Sequence, residues 1–130
     1  MAQEAEELTL LNRRALQFLV HCFLYYKLAE PVVSDEFFDR VTGELRALRA
    51  RLPQAPMPHA DLVDPILGPE SSGFQIRQYP PAVITTAFKL LYAATDPGAD
   101  FREFVERRGY RVESAEAGGD GAARGEIQRP

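Results

Sequence analysis

The chain has little cysteine, little lysine and no long apolar run, and each shortage removes a class of function. A single cysteine, Cys22, among 130 residues excludes an internal disulfide and a cysteine-rich metal site. It falls in an apolar helical stretch, where a small buried and inert thiol is expected. The two histidines, His21 and His59, stand too far apart in sequence to read as a metal pair. His21 is expected at a helix surface or partly buried, and no metal is expected. No run of about eighteen apolar residues is present, and Ala2 to Thr9 are acidic rather than apolar. Neither a membrane span nor a secretory leader is therefore expected, and the expected location is the cytoplasm. Only Lys27 and Lys89 supply lysine among 15 basic residues, a bias of coding that decides nothing about function. Against 19 acids the net charge is −4, with a pI near 5.2. Such a field repels polyphosphates, so direct nucleic-acid binding is not expected. Nucleophile motifs of the Gly-x-Ser-x-Gly kind are absent, and Asp61, Asp64 and Glu70 lack the spacing of a calcium loop. Ser71-Ser72-Gly73 opens no helix, which argues against a phosphate cradle.

What is present is helical periodicity. Leu8, Leu11, Ala15, Phe18, Cys22 and Tyr26 recur at three- and four-residue steps, predicting a helix from about Glu4 to Leu28. A second row, Leu16, Val20, Phe23 and Leu24, widens the apolar stripe, so the helix should be packed from two sides. Pro31 disfavours helical geometry at Glu30 and closes it. Ser34 then offers an N-cap, with Asp35 and Glu36 where the helix dipole favours carboxylates. Phe38, Val41, Leu45, Leu48 and Leu52 mark the inner face of this second helix, and Pro53 ends it. Gly43 inside it suggests a close approach of helices. The short connection from Ala29 to Val33 makes the pair an antiparallel hairpin.

Residues 53–81 carry seven prolines and read as a long irregular connection. Helix returns at Ala82, with Ile84, Ala87, Phe88 and Leu91 on one face. It is followed by an Asp96-Pro97-Gly98 break and a short helix from Asp100 to Arg108, with Gly109 at its end. The arginines Arg46, Arg49 and Arg51, and Arg107, Arg108 and Arg111, form clusters of a size usually found on solvated faces or at helix C-termini. The expectation is an all-α fold in one domain over 1–113. A long antiparallel hairpin (4–52) is covered by the proline-rich connection (53–81) and two shorter helices (82–113), and a disordered tail follows over 114–130.

One constellation stands out. Tyr25 and Tyr26 end the first helix, and Asp35, Phe38 and Asp39 begin the second, with the two aspartates one turn apart on one face. A flat aromatic wall beside two carboxylates suits a flat cation bearing hydroxyls. The run Phe23-Leu-Tyr-Tyr-Lys-Leu-Ala-Glu-Pro-Val-Val-Ser-Asp-Glu-Phe-Phe-Asp39, with Glu44-Leu45 after it, resembles the N-terminal helical domain of bacterial NAD-dependent DNA ligases. The likeness covers roughly residues 8 to 52, about a third of the chain. It implies binding of the nicotinamide mononucleotide half of NAD, with NAD or nicotinamide mononucleotide as ligand and Tyr25, Tyr26, Asp35, Phe38 and Asp39 as the pocket. In that family His is usual at the position of Tyr26 and Tyr at that of Phe38, so two polar contacts are missing here.

The resemblance does not extend to catalysis. Ligation in that family needs a nucleophilic lysine in a Lys-x-Asp-Gly motif, and neither Lys27 nor Lys89 is followed by one. The barrel, zinc site and helix-hairpin-helix repeats of the full ligase are also missing from this sequence. The implied function is that of a non-catalytic, stand-alone relative that binds the nucleotide or assists DNA metabolism, an arrangement suited to a phage or mobile element. Two other readings compete. Aromatic residues at helical spacing are more often core than pocket, and Asp39 is placed to accept a hydrogen bond from Tyr25 or Tyr26. Alternatively, only the scaffold persists and the chain is a protein-interaction module, with Phe74, Ile76 and Tyr79 exposed on the Pro53–Pro81 loop for a protein partner.

Overall fold

The apolar rows of the first helix organise the N-terminal half. The computed structural model describes residues 2–67, 76–113 and 126–128, and the chain divides into two compact units, 1–78 and 79–130. Among the described residues the architecture is all-α apart from one short strand pair.

In the first unit, helix α1 spans Ala2–Cys22 and continues as a π-helical turn over Phe23–Lys27. Leu11, Ala15, Phe18, Cys22, Val20, Phe23 and Leu24 are all buried, as the two rows predict, but Leu16 is 42% exposed. The expected uninterrupted α-helix to Leu28 is corrected by the π turn, whose Leu28 N–H donates to the Phe23 carbonyl at 3.2 Å. An extra residue in one turn rotates everything beyond it by about 100° around the axis relative to a continued α-helix. Tyr25 thus emerges at the surface while Phe23 and Leu24 stay in the core. The helix closes with the Glu30 N–H donating to the Leu24 carbonyl at 2.9 Å, around Ala29 at φ +55°. This is the left-handed closure that usually falls to glycine.

Helix α2 spans Asp35–Arg51, and its start is as the sequence predicts: the Ser34 hydroxyl oxygen accepts from the Phe37 N–H at 3.1 Å. Val41, Leu45 and Leu48 are buried, while Phe38 and Leu52 are half-buried. The two helices run antiparallel. Glu7 meets Arg51, Arg14 meets Glu44 and Phe18 meets Phe38, so partner numbers fall as α1 advances. Gly43 is not a point of close approach: it is exposed, and a Cβ there would meet nothing within 4 Å.

The proline-rich stretch is more ordered than expected. It carries a short helix α3 over Ala60–Val63 and a 3₁₀ turn over Asp64–Ile66. Two arginines expected on a solvated face hold it in place. The Arg49 guanidinium donates to both carboxylate oxygens of Asp64, at 2.9 and 3.0 Å, and to the carbonyls of Leu52 and Ala55. The Nε of Arg46 donates to the Leu67 carbonyl at 2.6 Å. A planar fork with five donors can bind several carbonyls at once, as a lysine cannot.

In the second unit, helix α4 spans Pro81–Thr95 with Pro81 in its first turn, where a missing N–H costs nothing. Val83, Ile84, Ala87, Phe88 and Leu91 are its buried row. The Tyr92 hydroxyl reaches the carbonyls of Pro97 and Ala99 and so secures the Asp96-Pro97-Gly98 turn. Helix α5 spans Phe101–Glu106, capped by Asp100, whose carboxylate accepts from the Glu103 N–H at 3.0 Å. Phe104 and Val105 point inward, and the Arg108 guanidinium lies 3.8 Å from the Phe104 ring centre. Gly109 takes φ +85°, which a side chain would strain.

Strand β1, Arg111–Glu113, pairs antiparallel with β2, Glu126–Gln128, with Val112 opposite Ile127. The expected disordered tail is therefore corrected at 126–128. An extended edge such as Arg111–Glu113 is a template on which a second strand can pair. The remainder of that tail, 114–125 and 129–130, lies outside the described residues.

Candidate functional site at the hairpin tip

The turn end of the hairpin gathers the aromatic residues. Phe18 of α1 stacks on Phe38 of α2 with ring centres 5.8 Å apart and planes 16° from parallel. Tyr25 stacks on Phe38 too, at 6.4 Å and 9°. Three rings thus lead from the buried Phe18 through the half-buried Phe38 to Tyr25, which is 44% exposed. Tyr26, half-buried, meets the Tyr25 ring edge-on at 4.9 Å. Offset-stacked and edge-to-face pairs are the arrangements the ring quadrupoles favour. Of the five residues singled out in the sequence, the structure joins Tyr25, Tyr26 and Phe38 through ring contacts.

Asp35 and Asp39 sit one turn apart in the first turns of α2, and both are exposed. Neither makes a hydrogen bond or ion pair among the described residues, so Asp39 is not the internal acceptor for a tyrosine hydroxyl. The N-cap duty falls to Ser34, which leaves the Asp35 carboxylate uncommitted. The tip therefore presents an accessible aromatic surface on a helical element that carries two exposed carboxylates without partners among the described residues.

His21, one turn before Tyr25 on α1, belongs to this end of the hairpin, and the sequence reading underestimated its burial. It is 8% exposed, its ring lies edge-on to Phe37 at 6.1 Å, and its Nδ1 is buried without a hydrogen-bond partner. Burial pushes its pKa below the ordinary 6.5, because a charged imidazolium would lose its hydration there. Phe37 in turn carries the Arg40 guanidinium 5.8 Å from its ring centre. The signal available in the sequence was position: His21 follows Phe18 by three residues and lies between buried Val20 and Cys22. The thiol of Cys22 is buried and its pKa is raised to about 12 by desolvation, which makes it a poor nucleophile.

Elsewhere in the first unit, a groove of about 630 Å³ lies between the α3 turn (Asp61, Leu62, Pro65, Ile66) and the extended Ile76–Gln78 segment. The expectation that Ile76 and Tyr79 project from the loop as exposed anchors is corrected. They are 4% and 7% exposed, because apolar side chains of this size gain more by burial than the connection loses in freedom. Phe74, the third expected anchor, lies outside the described residues. Among the described residues no cluster of three or more His, Cys, Asp and Glu side chains could hold a metal, and no helix is long and apolar enough to cross a membrane. No protein-family model, curated protein or solved structure matches the chain.

Proposed function

We propose that the hairpin tip is a binding site for the nicotinamide mononucleotide moiety, free or within NAD, and that the chain is a non-catalytic relative of the ligase N-terminal domain serving DNA metabolism. The observation that carries this reading is the exposed Tyr25 ring, backed by Phe38 and Phe18, at the tip where Asp35 and Asp39 are exposed and unpaired among the described residues. A pyridinium ring stacked on Tyr25 would gain about 0.5–2 kcal/mol from its charge. The carboxylates are suited to accept hydrogen bonds from a carboxamide or from ribose hydroxyls. A stack already assembled in the free protein lowers the cost of ordering the site on binding. The non-catalytic part of the proposal follows from the sequence around Lys27 and Lys89, neither of which can act as the adenylated lysine of a Lys-x-Asp-Gly motif.

Titration of isotope-labelled protein with nicotinamide mononucleotide and with NAD, followed by NMR, tests the reading. Saturable shifts centred on Tyr25, Tyr26, Asp35, Phe38 and Asp39 are expected. They should be lost in Asp39→Ala and Tyr25→Ala variants whose remaining spectra stay folded. Absence of shifts with both ligands at millimolar concentration overturns it.

A further inference from the structure

We draw no further inference here: the strongest candidate, the apolar groove of about 630 Å³ between the α3 turn and the extended Ile76–Gln78 segment, is an unpartnered surface on which nothing in the structure shows what covers it.

Discussion

The two ends of the hairpin are built on opposite terms. At the open end, charged side chains are matched: Arg51 with Glu7, Arg14 with Glu44 and Gln17, and Arg49 with Asp64 and two carbonyls. At the turn end, Asp35 and Asp39 have no partners among the described residues and the aromatic ladder finishes on an exposed ring. Exposed ion pairs contribute little each, about 0–1 kcal/mol, so the open end is not held by Coulomb energy alone. What distinguishes it is that its charges also tie down backbone carbonyls of the following segment. The open end spends charged groups on its own fold, whereas at the turn end the Asp35 and Asp39 carboxylates stay exposed.

That contrast can be broken most forcefully at its shared base. Phe18→Ala removes a buried ring from beneath the ladder, and urea denaturation should show a loss of about 3–5 kcal/mol. A loss below about 1 kcal/mol would mean that the ladder is not seated on the core. At the open end, Arg49→Ala strips Asp64 and the Leu52 and Ala55 carbonyls of their donor and should cost about 2 kcal/mol. Arg49→Lys should recover less than half of that, because an ammonium cannot reproduce the fork. Equal stability of the two variants would show that charge, not geometry, matters there.

Gly43→Ala, on the outer side of α2 with nothing near its added methyl, should raise stability by about 1 kcal/mol through helix propensity. A loss instead would reveal a contact at that face. The last effect is a slope rather than an offset. The folded state holds His21 below its ordinary pKa, so below pH 6.5 the unfolded chain binds more protons than the folded one. This contribution is therefore present above pH 6.5 and is lost as the pH falls through the lowered folded-state value. His21→Leu should flatten the pH dependence of the urea midpoint in that acid range, and an unchanged slope would place the acid sensitivity elsewhere.

Much of the helical order was legible in the sequence because it rests on local physics. Periodic Leu, Ala and Phe positions identify α1, α2 and α4. Ser34 and Asp100 announce their caps, and prolines mark the breaks. The ring contacts among Tyr25, Tyr26 and Phe38 were anticipated as a neighbourhood, since a short connection forces adjacent helix ends together. Their stacking angles were not, because the π turn that aims Tyr25 has no signature in residue types. The same holds for Arg46 and Arg49. Nothing within a few residues of them shows that Leu67 or Asp64 will come within reach, so they read as solvated charge until the chain folds back.

Sequence alone determined the helical class, the start of α2, the inert Cys22 thiol and the two aspartates on one helical turn, all consequences of spacing along a single backbone. Tertiary structure decided the rest: which charges are spent, that His21 is buried with an orphaned nitrogen, that Ile76 and Tyr79 turn inward, and that residues 126–128 return to pair with 111–113. These depend on contacts between residues distant in sequence, where burial and partner geometry outweigh local preference.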